Sequence, residues 1–436
     1  MKRYLVFLIT LVIPLSLHGY PLDAYDRTHI RRLLPAWHIH FEGGGKPTLP
    51  AGALLRSDAI VPSGHGLSEL PASDPQLAQK LKNLLGNDAD LYSVSVVDLS
   101  DPAAPRYIGH RDNHIANVGS VGKVLVMYAL LDQLARLYPD DIAARERILR
   151  DTIITANDWV LTDHHTVPIF DPAAGHIISR QLRIGDTGNL WEFLDWMMSA
   201  SNNSAASIIV QQVILLEKFG HDYPLSATES EAFLETSSAR ELGELWLTAM
   251  YRPLKTAGFD TERIRQGSPF TGAAKKRIQG TSSVATSRDL ARLVSLIEAG
   301  KLVDAWSSAE AKRLLYMTQR RIRYASHPVL NGDAVYFKSG SYYSCEPEPD
   351  FVCRKYMGNR INRLASVAMV ESPAGSPGLR YIVTVMSNVL RVNSAVAHQT
   401  LAMRIHRFIE SLHAGNDAKN PAAAEPLPKN IESLAE

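Results

Sequence analysis

The chain has 436 residues, of which 45% are hydrophobic and 21% are charged. This composition is typical of a folded protein and excludes a wholly disordered or fibrous chain. The 46 basic and 45 acidic residues leave a formal net charge of +1, so no overall field would attract nucleic acid or an anionic membrane. Two cysteines allow one disulfide and exclude a zinc site built from thiolates.

The N-terminus has the pattern of a secretory signal peptide. Lys2 and Arg3 precede an apolar stretch, residues 4–17, which is broken only by Thr, Pro and Ser and is short for a membrane span. We predict a signal peptide at residues 1–19 and an exported protein, periplasmic or secreted, with no stable membrane insertion after cleavage. A retained N-terminal anchor is the alternative.

The regular elements begin after an irregular extension, residues 20–85, that is punctuated by Gly and Pro. Two strands come first and pair as a hairpin, at 92–98 and 106–109. Helical patterns follow at 120–137, 190–198, 204–219, 229–251 and 286–299. The first of these is apolar nearly all round and so buried, whereas the second is amphipathic. Three more strands, at 334–338, 364–370 and 381–386, precede a closing helix at 392–412.

This order of elements predicts an α+β fold in which strands from both ends of the chain form one antiparallel sheet flanked by helices. The sheet lobe would comprise residues 86–112 and 330–412, and an all-helical lobe, residues 113–329, would be inserted between them. A cleft between the two lobes is the expected place for a site. Residues 413–436, rich in Ala, Pro and Glu, are predicted to be a disordered tail.

A Ser-x-x-Lys pattern opens the apolar helix. Ser120 and Lys123 are three residues apart and so share one face of a helix, and the positive helix N-terminus favours an alkoxide or an oxyanion. A serine hydroxyl needs a base to become a good nucleophile, and burial can lower the pKa of a lysine enough for it to act as one. Alone, the pattern also fits a helix start with a surface lysine.

Two further patterns follow along the chain. Ser201 and Asn203 precede a helix, where a hydroxyl and an amide can relay a proton and hold a substrate amide, although both are also ordinary capping residues. Lys338, Ser339 and Gly340 come at the end of a predicted strand. The cation and the hydroxyl can bind a carboxylate, and glycine allows close approach to the backbone. A strand that runs into a turn is the alternative.

The three patterns in this order, Ser-x-x-Lys, Ser-x-Asn and Lys-Ser-Gly, form the signature of the serine β-lactamase and penicillin-binding protein superfamily. The chain resembles the class A β-lactamase-like branch across residues 86–412. Residues 197–206 resemble the second motif region of that branch, with Asn202 in place of Asp, and residues 286–293 resemble its helix before the third motif. The resemblance implies a β-lactamase/transpeptidase-like fold with insertions near 140–180 and 240–275.

The resemblance also implies catalytic roles for three of these residues. Ser120 would be the nucleophile that becomes acylated. Lys123 would be its general base, or part of the proton relay. Ser201 would pass a proton to the leaving nitrogen.

Other residues of the motifs would bind the substrate. By the same resemblance, Asn203 would hold the substrate amide, and Lys338 and Ser339 would hold its carboxylate, with Gly340 leaving room beside the strand. The backbone N–H of Ser341 would join that of the nucleophile in an oxyanion hole.

Class A β-lactamases use a glutamate in a Glu-x-x-Asn sequence to activate the water that clears the acyl-enzyme, and this chain contains no such sequence. Glu229, Glu231, Glu235 and Glu241 lie in the expected region, but each fits a solvated helix charge. We therefore predict an acyl-serine hydrolase that attacks a β-lactam or related amide and holds its adduct for a long time. The alternatives are a penicillin-binding D,D-peptidase-type enzyme with slow β-lactam deacylation and a non-catalytic binding module that keeps the fold.

Three smaller expectations complete the sequence analysis. Cys345 and Cys353 are expected to pair in an exported protein and to brace the loop beside the cleft; two free buried thiols are the alternative. Asp163, His164 and His165 suggest a metal only faintly, because adjacent loop residues rarely converge on one ion, and we predict a solvated loop. We expect no metal, no cofactor, and as partner a small β-lactam or a cell-wall peptide rather than nucleic acid.

Overall fold

The computed structural model of the protein describes residues 24–33, 50–171, 176–316 and 321–414. The predicted signal peptide lies outside these residues, as does nearly all of the predicted tail. The described part of the chain contains nine strands: β1 (Tyr92–Asp98), β2 (Arg106–His110), β3 (Ile153–Thr155), β4 (Val167–Asp171), β5 (His176–Arg180), β6 (Thr187–Asn189), β7 (Ala334–Ser344), β8 (Ile361–Ser372) and β9 (Leu379–Asn388).

Twelve α-helices accompany the strands in the same described residues. They are α1 (Tyr25–Thr28), α2 (Pro75–Leu85), α3 (Lys123–Leu137), α4 (Ile142–Asp151), α5 (Leu190–Met198), α6 (Asn203–Phe219), α7 (Ala227–Thr236), α8 (Ala239–Thr256), α9 (Gly272–Arg277), α10 (Ser287–Glu298), α11 (Ala305–Tyr316) and α12 (Ser394–His413). None of these helices has the length and apolar character needed to cross a membrane.

A five-stranded antiparallel sheet in the order β2–β1–β9–β8–β7 joins the two ends of the chain. This confirms the predicted α+β fold, but β7 to β9 are longer than predicted. The ladder between β7 and β8 continues to the pair of Ser344 with Ile361, although serine and glycine interrupt the apolar run. Lys338 therefore lies in the middle of an edge strand and not at a strand end.

Helices cover both faces of this sheet. On one face α12 packs against β8 and β9, and α2 packs against β2; Val96, Val383 and Phe408 belong to the apolar cluster on that side. On the other face α10 packs against β1 and β9, and α11 against β7. Every residue of β1 is buried, as expected for a strand that is covered on both sides.

The helices α3, α5 and α6 are buried along most of their length. This confirms the prediction for α3, but α5, predicted to be amphipathic, is buried on every side. Its carboxylates Glu192 and Asp195 can be buried because Arg31 and Arg32 of the N-terminal segment pair with them. Arg32 donates from Nη2 to Asp195 Oδ1 over 2.7 Å. The pattern of α5 alone could not reveal partners that are so far away in the sequence.

Two helical regions differ from the prediction. The helix α2 falls in the stretch predicted to be irregular, where Asp74 accepts hydrogen bonds from the first free backbone N–H groups and Pro75 occupies the first helical position. The single helix predicted at 229–251 is two helices, α7 and α8. Ser238 separates them because its side chain accepts from Glu241 N and so caps the start of α8.

A buried ionic cluster ties the sheet to the helices above it. Lys312 of α11 is fully buried and donates to Glu298 Oε2 over 2.7 Å and to Glu371 Oε1 over 2.8 Å. Tyr336 of β7 donates its hydroxyl to the other oxygen of Glu371 over 2.7 Å. Arg380 Nε also pairs with both glutamates, over 3.2 and 3.3 Å. Two carboxylates are thus held in the interior by two cations and by hydrogen bonds, which is the arrangement that buried charges require.

Replacing the central cation of this cluster should destabilise the protein strongly. In Lys312→Met both carboxylates lose their fully buried partner and keep only the partly exposed Arg380, so we expect the free energy of unfolding to fall by about 3 kcal/mol, measured by urea denaturation. The control Lys276→Met removes an exposed lysine of α9 and should change it by less than about 0.5 kcal/mol. Equal effects of the two substitutions would contradict this account of the cluster.

Candidate functional site

The candidate nucleophile sits where a tight turn leads into the most buried helix. Ser120 lies in a 3₁₀ turn, Gly119–Gly122, that continues directly into α3. Gly119 has φ +54°, a conformation that favours glycine. The serine is half-buried and lines a cleft. Its place at the start of α3 directs the free N–H groups of the helix terminus towards it.

Lys123 lies behind the nucleophile with its amine out of water. It is fully buried, and Nζ lies 2.9 Å from Ser120 Oγ, 3.0 Å from the backbone oxygen of Ser201 and 2.6 Å from Asn203 Oδ1. Burial lowers the pKa of Lys123 to about 7, although the charge of Asp163 opposes this shift. A neutral amine has two hydrogens and one lone pair; the two carbonyl oxygens can take only hydrogens, so the lone pair is left for the Ser120 hydroxyl.

Ser201 stands between two lysines. Its backbone oxygen accepts from Lys123, and its Oγ accepts from Lys338 Nζ over 2.6 Å. The residue has φ +58°, a left-handed conformation that is strained for a serine and is typical of functional sites. Asn203 is the first residue of α6, and Asn202 caps that helix by accepting from Ala205 N. The structure therefore brings together all three sequence motifs at one point.

Asp163 holds the second motif in place, a role that the sequence analysis missed. Its Oδ2 accepts from the backbone N–H groups of Asn203 and Ser204, over 2.8 and 3.0 Å, and its Oδ1 lies 2.6 Å from His165 Nδ1. Burial would raise the pKa of Asp163, but the hydrogen bonds from His165 and Ser204 hold it well below its usual range. The prediction of a solvated loop holds for His164 and His165, which are exposed, but not for Asp163, whose side chain is only 3% exposed and caps the start of α6.

The third motif approaches the nucleophile along the open edge of the sheet. Lys338 and Ser339 are buried. Burial is the main cause that lowers the pKa of Lys338 well below its usual value, and the charges of Lys123 and Arg323 lower it further. A side chain on Gly340 would meet Val118 O at 2.2 Å and Ser120 N at 2.4 Å. Glycine is thus required at this position for the backbone of β7 to reach the 3₁₀ turn.

This contact brings close together the two backbone N–H groups that were predicted to form an oxyanion hole. A Cβ atom on Gly119 would be 3.4 Å from Ser341 N, and one on Gly340 would be 2.4 Å from Ser120 N. The backbone nitrogens of Ser120 and Ser341 therefore both lie next to the contact between Gly119 and Gly340, close to the candidate nucleophile. Two N–H groups in such a position can stabilise a negative oxygen that develops next to Ser120 Oγ.

Arg323 and Tyr356 also belong to the site, and no motif pointed to them. Arg323 donates to Ser339 Oγ over 2.7 Å, to Ser341 Oγ over 3.2 Å and to the Tyr356 hydroxyl over 3.0 Å. Both Arg323 and Tyr356 have positive φ, +54° and +65°. The only sequence signal was an arginine and a tyrosine in irregular segments, which is too common to be informative.

An aromatic ring packs against the amine of Lys123. Phe270 places its ring centroid 4.6 Å from Lys123 Nζ, and within the described residues no carboxylate forms an ion pair with this amine. Among the glutamates in the expected region, Glu229, Glu231 and Glu235 are exposed, and Glu241 is paired with Lys218 on the surface. Their reading as solvated helix charges agrees with this exposure.

The cleft has a volume of about 710 Å³ and is lined by the predicted residues Ser120, Ser201, Asn203, Lys338, Ser339, Gly340 and Ser341. Lys123 lies behind this surface and reaches it through Ser120. A hairpin of β4 and β5 reaches one wall. Tyr356 reaches the other wall, just after the loop that a disulfide between Cys345 and Cys353 closes, as predicted. No group of three or more ligand side chains that could hold a metal occurs in the described residues.

The sequence around these residues matches a known protein family. A sequence profile described as the β-lactamase enzyme family matches residues 76–400. The chain belongs to the β-lactamase enzyme family. The match begins within α2 and ends within α12, so it includes the whole sheet and the three motifs. A comparison with curated protein sequences gives no match.

Three solved structures match most of this chain at low sequence identity. TLA-3 extended-spectrum β-lactamase is 13% identical, and the match covers 77% of this chain and 98% of that one with a TM-score of 0.50. The β-lactamase from Sphaerobacter thermophilus is 15% identical, covering 76% and 96%, with a TM-score of 0.48. PBP-A is 13% identical, covering 78% and 99%, with a TM-score of 0.47. The likeness to TLA-3 supports the β-lactamase-like fold that the motifs predicted.

The contact between β7 and the 3₁₀ turn can be tested by filling it. In Gly340→Ala the new methyl group overlaps the backbone of Val118 and Ser120, so we expect a loss of about 1–3 kcal/mol in the free energy of unfolding, measured by thermal denaturation. The control is Gly332→Ala, where a Cβ would meet nothing within 4 Å. A Gly340→Ala protein as stable as this control would show that the close approach is not required.

Proposed function

We propose that the protein is an acyl-serine enzyme that attacks the amide of a β-lactam or of a related cell-wall peptide. The observation that carries the proposal is the environment of Lys123, whose amine is buried 2.9 Å from Ser120 Oγ while carbonyl oxygens occupy its two hydrogens. Such an amine is arranged to take the hydroxyl proton. In the proposed step the Ser120 oxygen bonds to the carbonyl carbon and the carbon–nitrogen bond then breaks.

The proton and the charges have a path through the neighbouring residues. Lys123 takes the proton from Ser120, and Ser201, which contacts both lysines, passes a proton to the leaving nitrogen. The negative oxygen of the intermediate faces the N–H groups of Ser120 and Ser341. Lys338 supplies the charge that holds the substrate carboxylate, and in doing so it keeps the leaving group next to Ser201.

Asn203 and the hydroxyls of the third motif complete the proposed binding of the substrate. Asn203 Oδ1 accepts a hydrogen bond from Lys123. The amide nitrogen of Asn203 is therefore left to donate to a substrate carbonyl. Ser339 and Ser341 line the cleft on the side of the carboxylate and are held there by Arg323. Each of these contacts positions the scissile bond against Ser120 and supplies none of the covalent chemistry.

Removal of the acyl group is proposed to be slow. Hydrolysis of an acyl-enzyme needs a base that activates water, and Phe270 covers the amine of Lys123 where a carboxylate could act. Asp163 is the acidic group that influences Lys123, but its oxygens are occupied by the start of α6 and by His165. This observation favours the second candidate, a penicillin-binding D,D-peptidase-type enzyme, over a fast β-lactamase.

The non-catalytic alternative fits the site less well. A binding module has no need of a buried lysine whose partners are the Ser120 hydroxyl and two oxygens of the second motif, because an amine with a lowered pKa next to a serine in a cleft is typical of a catalytic site. We also propose that the protein is exported, to the periplasm or the medium. The N-terminal sequence pattern and the disulfide between Cys345 and Cys353 support export.

Covalent labelling tests the proposed nucleophile. After exposure to benzylpenicillin, intact-protein mass spectrometry and peptide mapping should find the penicilloyl group on Ser120, and the adduct should persist for many minutes after the free drug is removed. Ser120→Ala should give no adduct. Rapid steady-state hydrolysis of nitrocefin would contradict slow deacylation, and a Ser120 inert to both β-lactams and fluorophosphonates would favour the binding module.

The pH dependence of acylation tests the base. Because the neutral amine of Lys123 accepts the proton and its pKa is lowered to about 7, the acylation rate should rise about tenfold per pH unit below that value and level off above it. Quenched-flow mass spectrometry from pH 5 to pH 8 measures this rate. A rate that stays constant over this range would exclude Lys123 as the base.

A further inference from the structure

One end of the cleft gathers three cationic side chains, Arg323, Lys338 and Lys355, which we call the cationic end. Among the described residues that line the cleft there is no aspartate and no glutamate. Within the same described residues, no carboxylate forms an ion pair with any of the three cations. Their hydrogen-bond partners are the hydroxyls and the backbone of the site itself.

Elsewhere the protein neutralises its buried cations. Arg32 pairs with Asp195, and Lys312 pairs with two glutamates. The chain has nearly as many acidic as basic residues, 45 against 46, so the cationic end is not left unpaired by a shortage of acids. Lys338 is buried and Arg323 is partly buried, and an anion beside them would favour the charged form of the lysine and pair with the guanidinium. At a cleft the natural source of such an anion is a bound ligand.

Arg323 shows the deficit most directly. Three neutral hydroxyls accept its hydrogen bonds, and its buried Nε has no partner in the described structure. The guanidinium lies 4.7 Å from the ring centroid of Tyr356. Burial would raise the pKa of Tyr356, but the charges of Arg323 and Lys355 bring it below its usual value. The local potential is therefore positive well beyond Lys338.

The cationic end is also held rigidly. The backbone oxygen of Tyr356 accepts from Ser394 N at the start of α12 over 3.0 Å, and Arg354 and Met357 form a bridge on either side of it. The disulfide between Cys345 and Cys353 closes the loop just before it. These contacts fix the backbone that carries Lys355 and Tyr356, so an anion that binds there does not have to order it.

The number of charges exceeds the need of one carboxylate. Lys338 and Ser339, with Arg323 behind them, already suffice for the single carboxylate of the proposed substrates. Lys355 and the Tyr356 hydroxyl then remain in the lining of the cleft, with Lys355 Nζ 5.3 Å from the Tyr356 ring centroid. They offer a third positive charge and a hydrogen-bonding group for a further anionic group.

We propose that the natural substrate carries two carboxylates on the leaving-group side of the scissile amide, as in a peptide that ends in an acidic amino acid. This inference rests on the proposed function and names its substrate class. In the acylation step the Ser120 oxygen–carbon bond forms, the carbon–nitrogen bond breaks, and the proton of Ser120 reaches the departing nitrogen. One carboxylate of the leaving amino acid binds Lys338 and Ser339, and the other binds Lys355 and Tyr356.

A matched pair of thioesters tests the preference. N-Acyl-D-alanyl esters of thioglycolate and of mercaptosuccinate present the same acyl group with a leaving thiol that carries one or two carboxylates. Acylation of Ser120 releases the thiol, and a disulfide reagent detects it. The rate of thiol release at low ester concentration gives kcat/KM for each ester. We expect the mercaptosuccinate ester to be preferred by about three- to tenfold at low salt, and the preference to shrink in about 0.5 M NaCl.

Two substitutions locate the preference within the cleft. Lys355→Met should reduce the ratio of the two kcat/KM values to about one, and because Lys355 is exposed the variant should remain folded. Lys80→Met, which removes an exposed lysine of α2, should leave the ratio as it is in the unmodified protein. An equal loss of the ratio in both variants would overturn the assignment to Lys355.

Labelling by benzylpenicillin separates the two hypotheses. If Ser120 is labelled but the mercaptosuccinate ester reacts no faster than the thioglycolate ester, or neither ester reacts, the second carboxylate is wrong and the proposed function stands. If neither benzylpenicillin nor either ester acylates Ser120, the proposed function fails, and the substrate class fails with it.

Discussion

The site depends on one buried amine. Taking an ammonium ion out of water costs several kcal/mol, and the protein avoids most of this cost because the pKa of Lys123 falls to about 7. The neutral form still needs two acceptors, and both come from the Ser201–Asn203 turn, on a different element. The strained φ of Ser201 and the cap that Asp163 supplies to α6 follow from this need. The junction of α3, α6 and β7 is thus built around the requirements of a single nitrogen atom.

The second constraint is the distance between two backbones. The 3₁₀ turn before α3 and the open edge of β7 approach so closely that a methyl group on Gly340 has no room. That approach requires an edge strand that stays regular past Lys338, and the ladder with β8 provides it. The five-stranded sheet, covered on both faces, is the rigid support that fixes the ladder. The stability of the core and the placement of the N–H groups beside Ser120 therefore have the same structural origin.

The sequence predicts a site residue only when a local pattern marks it, and not when tertiary contacts alone bring it to the site. Ser120 and Lys123 share a helix face, and three short motifs in a fixed order identify the family, so the fold and the main side chains could be predicted. Phe270 and Arg323 reach the site only through tertiary contacts, and no local pattern indicates them. The same limit explains α5, whose apolar pattern did not reveal that its carboxylates would be buried against the arginines of residues 24–33.

The chain as a whole is nearly neutral, whereas its cleft carries unpaired positive charge. A net charge of +1 excludes attraction of anions by the protein as a whole, so any attraction must come from cations that are locally unpaired. Such cations are tolerated only where the surrounding structure holds them: Ser201, Arg323 and Tyr356 all have left-handed backbones, and hydroxyls replace carboxylates as partners of Arg323. Strain and unpaired charge meet at Arg323 and at its neighbour Tyr356. A structure that bears both costs in one place is arranged for an anionic ligand that relieves the second of them.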